Sequence, residues 1–379
     1  MKLLKNVQVF APEALGKKDI LVGGAKILAI EPELNPQLPG VEVFDCAGSF
    51  ATPGLIDQHI HIIGAGGKHG FHSLTPEITL SELIACGTTT VMGLLGTDGV
   101  TKSLRALYAK TKALEREGIT AYMLTSYFGL PPITLTGSVL EDMILVDKVI
   151  GCKVALSDER SSYPTASDLL AILKDVHVGG LTSGKGGIMH VHLGALNTHM
   201  TLLLELVEKY QFPIRHISPT HVGRTAPLFE EAIRFAKLGG MIDITTGGTK
   251  FDEPYKQVIY ALSKGVPIDN MTFSSDGNAG LGKKDASGNI VGFYKAPIDL
   301  NLKQVVKLVK EGGLSISDSF RLVTSGPAKN LSLKQKGFLA AGCDADLCFF
   351  DNNIQLTDVM AMGSWMMKDG SIIRKGSFE

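Results

Sequence analysis

The chain has no run of about 18 uninterrupted apolar residues, so no transmembrane helix is expected. Its opening residues, Met1-Lys2-Leu3-Leu4-Lys5-Asn6, lack the apolar stretch of a secretory signal. Basic runs are absent too, and 37 Lys+Arg stand against 38 Asp+Glu, a formal net charge of −1. That balance excludes an electrostatic nucleic-acid footprint. Cysteine is scarce: Cys46, Cys86, Cys152, Cys343 and Cys348 are odd in number, scattered, and never spaced as CxxC. Structural disulfides are not expected, and a reducing, cytoplasmic setting is the simplest reading. A GxGxxG after the first βα run is missing, which removes the main support for a doubly wound dinucleotide fold. The stretch Gly179–Gly187 lacks Walker spacing and precedes a strand, so it reads as a turn. What remains is 379 residues, 44% hydrophobic and 20% charged. Such a composition excludes disorder, and the length calls for a large α/β barrel or two domains.

Both ends of the chain are strand-like. Leu3 to Phe10 alternates weakly, and Asp19 to Ile30 reads as two strands around Gly23-Gly24. Val41 to Phe44, Asp346 to Asp351 and the hairpin around Asp369-Gly370 have the same character. Neither end has enough apolar surface to stand alone, so residues 1–52 and 329–379 are expected to pair into one small β-sandwich domain. Between them, residues 53–328 alternate short β-branched runs with helical patterns such as Ser103 to Glu117 and Pro227 to Leu238. Eight runs can be counted, beginning near Gly54, Thr89, Ile119, Cys152, Ile188, Ile214, Met241 and Met271. The expected class is α/β, a (β/α)8 TIM-like barrel carrying the terminal β domain.

Functional residues of such barrels gather where strands end. Run one ends in His59-Ile60-His61, and residues i and i+2 of a strand share a face, so both imidazoles can reach one ion. Run four carries Lys153 among apolar neighbours. Desolvation depresses a lysine pKa, and the neutral amine can take up carbon dioxide as a carbamate with two ligand oxygens. A lysine that snorkels or pairs with a carboxylate is the ordinary alternative. Run five ends in His190-Val191-His192. Both histidines point the same way, and His192 is preferred because it lies nearer the strand end. Run six ends at His221. Run eight ends at Asp276, a carboxylate placed to bind metal and move a proton. His69, His72, His177, His199 and His216 lie in loops or away from strand ends. Ala279 to Pro297, rich in Gly, Lys and Asp, is a candidate lid over the site.

The order HxH, Lys, His, His, Asp resembles the amidohydrolase superfamily in its binuclear, carboxylated-lysine branch. Pro53–His61, Gly93–Asp98, Leu135–Ser138, Ser157–Arg160, Pro219–Val222 and Ser274–Asn278 narrow the likeness to the isoaspartyl dipeptidase (β-aspartyl peptidase) family over nearly the whole chain. The resemblance implies two Zn2+ per chain, with His59 and His61 on one and His192 and His221 on the other. Carboxylated Lys153 and a hydroxide would bridge them, and Asp276 would bind metal and serve as general base and then general acid. The reaction implied is cleavage of the β-aspartyl bond of a small dipeptide by an oligomeric enzyme that binds neither nucleic acid nor membrane. Arg160, Arg224, Thr97 and Gly66 match substrate-contact positions. The family's carbonyl-polarising tyrosine aligns with Phe128, one residue from Tyr127, the catalytic candidate of that loop.

Two positions depart from the family. Lys68 stands where an amino-group-binding glutamate is expected, and Gly280 where a serine is. A Glu-to-Lys reversal repels an ammonium and attracts a carboxylate. The alternative substrate is therefore another small carboxylate-bearing amide, such as an N-acyl amino acid or a cyclic amide. A scaffold that kept the fold and lost catalysis would have a broken ligand set, and none of the ligand positions is broken.

Overall fold

A computed structural model describes residues 1–37 and 39–379. The middle of the chain forms eight consecutive parallel strands: Leu55–Ile60, Thr88–Gly93, Thr120–Thr125, Val149–Leu156, Ile188–Leu193, Ile217–Thr220, Ile242–Thr245 and Met271–Ser274. The circle is drawn together where His61 N donates to Gly277 O and Asp276 N to His59 O. All eight strands are buried along their length except at Tyr122, which is half-buried. Apolar runs without alternation are what a sheet covered on both faces requires.

Helices start where side chains can satisfy their free N–H groups. Thr79 with Glu82, and Thr165 with Asp168, form capping boxes ahead of Leu80–Ile84 and Ala166–Ser183. The second of these helices runs further than the glycine-rich reading expected. Gly179 and Gly180 are helical, and the turn begins only at Gly184. At Gly179 a Cβ would stand 2.5 Å from Met143 Cβ, so glycine there serves close helix packing.

The two ends of the chain pair into one nine-stranded sheet. Its linking strand, Phe50–Pro53, was not expected. It lies parallel to Lys2–Phe10 on one side and antiparallel to Leu347–Phe350 on the other. Leu4, Val7, Val9, Ile20, Val22, Leu347 and Phe349 form its core. Below it, Lys336 Nζ bonds Asp346 Oδ2 (2.6 Å) and Asp344 Oδ2 (2.9 Å), and Lys26 reaches Asp344 from the N-terminal half at 2.6 Å. The segment 279–297 is an antiparallel hairpin, Gly280–Lys284 with Ile290–Lys295, beside the barrel mouth. No helix among the described residues is long and apolar enough to cross a membrane.

Candidate functional site

Parallel strands in one barrel deliver their C-terminal ends to one mouth, and the expected side chains converge there. His61 Nε2 lies 3.1 Å and His59 Nε2 3.4 Å from Asp276 Oδ1. One ligand atom each from His59, His221 and Asp276 fall within 4.8 Å of one another. The far side of each ring is held. His61 Nδ1 faces Leu94 O at 3.3 Å, His221 Nδ1 faces Thr245 Oγ1, and His59 Nδ1 lies 2.8 Å from His190 Nε2. The Nε2 atoms of His59 and His221 are then buried without a hydrogen-bond partner. Orphaned buried acceptors are costly, and a cation satisfies them. The donor set therefore fits a metal centre.

Burial shapes the charges. It pulls the His59 and His192 imidazoles down to about 3 and lowers His61, which leaves the rings neutral, as ligands must be. Burial alone would raise the Asp276 carboxyl, but the His221, His59 and His61 rings outweigh it and hold Asp276 well below the usual range. Lys153 is 0% exposed, so it does not snorkel. Its amine donates to Leu95 O at 2.6 Å and lies 5.2 Å from the Phe128 ring centre, with no ion pair among the described residues. Burial, assisted by Arg160, pulls it down to about 7. His221 (φ 64°) and Asp276 (φ 50°) hold left-handed backbone, as do Ser126 and Ser157 at other strand ends. Such strain in non-glycine residues collects at functional sites.

The mouth is cationic. Arg160 spends its fork on Asp158, Nε to Oδ1 at 2.7 Å and Nη2 to Oδ2 at 2.5 Å, leaving Nη1 near Thr97 Oγ1 at 3.4 Å. Asp158 also sits 3.1 Å from His192 Nε2, which leaves Nδ1 as the other ring nitrogen of His192. Burial and the His192 and Arg160 bonds work against each other on Asp158, and the bonds win, holding its carboxyl far below the usual range. The motif around Arg160 contained Asp158, but nothing local marked it as the partner of His192. Arg224 is half-buried, its Nε without a partner. Lys68 is exposed at the rim. Though the residue is exposed, it also lines the cavity, and partial desolvation there together with Arg160 and Arg224 lowers its amine, partly offset by Asp276 and Asp158. Neither Arg224 nor Lys68 has an ion pair among the described residues.

One cavity is lined by His59, His61, Gly66, Lys68, Thr97, Phe128, Lys153, Arg160, His192, Arg224, Asp276 and Gly280. Tyr127 is not in it. Its ring packs where Cβ atoms of Gly99 and Gly129 would stand, and Phe128 forms the wall, 4.3 Å from the His192 ring centre. The phenol is thus turned away from the chemistry. A larger cavity of about 600 Å3 lies elsewhere, between Leu130–Val139 and the helix after Thr165. It holds none of these groups.

Gly66 and Gly280 touch backbone to backbone. A Cβ on Gly280 would lie 2.5 Å from Ser73 O and 3.1 Å from Gly66 Cα. The serine expected there has no room. Gly280→Ser should push the hairpin off the 64–73 loop and lower stability by about 1–3 kcal/mol. A thermal transition matching the parent's would contradict that packing.

The sequence pattern of the amidohydrolase family matches residues 166–373. The chain belongs to the amidohydrolase family. Within it the chain groups with the β-aspartyl dipeptidases. The crystal structure of the Fervidobacterium islandicum AW-1 β-aspartyl dipeptidase in complex with β-Asp-Leu is 40% identical. It superposes with a TM-score of 0.91 over 98% of both chains. Curated relatives match less of their length. A Staphylococcus aureus (strain Mu50) dihydroorotase is 33% identical over 115 residues, 30% of this chain and 26% of that enzyme. An adenine deaminase of Desulforamulus reducens is 23% identical over 384 residues, 98% of this chain and 57% of that protein. The amidohydrolase is a hydrolase of C–N bonds.

Proposed function

We propose that this amidohydrolase is a binuclear zinc enzyme that cleaves the β-aspartyl amide bond of small dipeptides. The observation carrying the reading is the convergence of three imidazoles, Asp276 and the unpaired, buried Lys153 on one cavity, with His221 beside His59 and Asp276. The 40% identity to an enzyme solved with β-Asp-Leu supports the substrate class. In this reading residues 53–328 are the catalytic barrel, and residues 1–52 with 329–379 are the supporting domain. Assembly as a homo-oligomer is also proposed, and native mass spectrometry tests it.

His59 and His61 would hold one ion and His192 and His221 the other, with carboxylated Lys153 and Asp276 completing the donor set. The neutral Lys153 amine adds CO2 through a new N–C bond and releases one proton, giving a carbamate anion. When bound, the metals supply Lewis acidity to the scissile carbonyl and lower the pKa of the attacking water. Asp276, held anionic, accepts the proton of that water and delivers it to the leaving amine. Asp158 fixes the His192 ring. Arg224 and the free edge of Arg160 meet substrate carboxylates, a task suited to guanidinium. Gly66 and Thr97 line the approach.

A second reading is favoured by one observation: Lys68 and Arg224 are unpaired cations at the same rim. That rim suits a substrate whose α-amino group is acylated or absent. Turnover of β-Asp-Leu against N-acetyl-β-Asp-Leu separates the two. Cleavage of the blocked compound alone would sink the dipeptide reading. Lys68→Glu should move the preference toward the free amine by about tenfold, solvent screening limiting a larger change. Unchanged relative kcat/KM values would remove Lys68 from substrate reading.

A further inference from the structure

His190 has no part in the metal set above, yet it is 0% exposed and both its ring nitrogens are engaged. Nε2 lies 2.8 Å from His59 Nδ1, and Nδ1 lies 3.0 Å from Ser218 Oγ. Behind Ser218 a chain of side chains crosses the barrel interior to Asp243. Hydrogen-bond chemistry orients every link. Thr220 and Ser274 donate to Asp243 Oδ2, and Thr272 to Oδ1. Asp243 accepts all of these, so the Gln58 group 2.8 Å from Oδ1 must be its amide nitrogen. Gln58 Oε1 then faces Asn330, which must present Nδ2 at 2.8 Å. The same Nδ2 donates to Ser218 Oγ at 2.9 Å. Asn330 follows the barrel in sequence but is bonded inside it.

We propose that His190 is a positioning residue that sets the tautomer of His59. His59 can offer a bare Nε2 to a cation only if its proton sits on Nδ1. His190 Nε2 must then accept that proton's hydrogen bond, and His190 Nδ1–H must donate to Ser218 Oγ, which the Asp243–Gln58–Asn330 chain holds in place. In the opposite arrangement Ser218 donates to His190 Nδ1, and His190 Nε2–H donates to His59 Nδ1. His59 Nε2 then carries hydrogen toward Asp276 and binds no cation. The two states differ only in where protons sit along three residues, with no change in net charge. Partners behind a ligand histidine commonly change metal affinity by about 10–100-fold.

The inference rests on the metal-centre reading, and the test separates the two. Metal-free parent, H190L, H190Q and S218A are titrated with Co2+ alone against a competing chelator, with the d–d spectrum and thermal unfolding of the metal-free form recorded. H190L should weaken Co2+ binding by about 10–100-fold. H190Q, whose amide oxygen can still accept from His59, should stay near the parent. S218A should weaken binding less than H190L, and it carries the test should H190L not fold. Parent-like affinity in the folded variants, or equal losses in H190Q and H190L, would overturn the tautomer role. A parent that binds no Co2+ would instead overturn the metal centre.

Discussion

Lys153→Ala is expected to abolish turnover while the metal-free protein stays folded. The lysine is fully buried, bonded among the described residues only to a carbonyl, and its amine is drawn down to about 7. No fold needs such a group for stability, because a buried ammonium without a carboxylate costs free energy. Removing it leaves a cavity, which also costs, so the two effects oppose. Lys153→Met keeps the volume and should leave the metal-free form at least as stable as the parent. In both variants the metal content should fall from about two ions per chain to about one or fewer. Losing several kcal/mol of Lewis-acid stabilisation lowers kcat/KM by about 10³-fold or more. Elemental analysis, kinetics and thermal unfolding of the metal-free forms read the three effects separately. Near-parent activity in Lys153→Ala would end the carbamate assignment.

The largest loss of stability is expected at Lys336→Met, far from the chemistry. Lys336 is 4% exposed and lies between Asp344 and Asp346, themselves 8% and 5% exposed. Lys26 compensates Asp344, but among the described residues Asp346 would keep only the Met362 N–H. Breaking a buried pair from one side costs about 3–5 kcal/mol. Asp346→Asn combined with Lys336→Met should recover part of the loss, since it removes the stranded charge. Burial works against the Lys336 ammonium, but Asp346 and Asp344 outweigh it and raise its pKa above 10.5. A raised lysine contributes fully below 10.5 and is lost only as pH rises through the higher folded value. The parent's advantage over Lys336→Met should therefore be flat in the neutral range and shrink only in strong alkali. Urea unfolding of both proteins at several pH values measures this. Equal stability of the two at neutral pH would remove the clamp from the fold's energetics.

The barrel was legible because its cause is local. A strand covered on both faces is rich in apolar and β-branched residues, and eight such runs appear in order, so His59, His61, Lys153, His221 and Asp276 stand out against them. Alternation failed where the backbone leaves the strand conformation. Ser126, at φ 69°, breaks the two-residue parity, so whether Tyr127 or Phe128 faces the barrel cannot be counted along the chain. His190 and His192 share a face by parity, and only their neighbours, Ser218 with His59 and Asp158 with Phe128, assign them different work. Phe50–Pro53 is too short and proline-ended to announce a strand, yet it joins the two ends of the chain.

Fold class and the order of ligand-type residues were written in residue type and spacing, which act over a few positions, and the reversal at Lys68 followed from the family resemblance. The pairing of Asp158 with Arg160 and His192, the exclusion of Tyr127, the close approach at Gly280 and the chain from Asp243 to His59 were decided by the folded structure. Each depends on atoms many residues apart, such as Asp243 and Gln58 at 2.8 Å across 185 positions. Hydrogen bonds and steric contacts act over a few ångströms, and only closure of the barrel brings those atoms within that range.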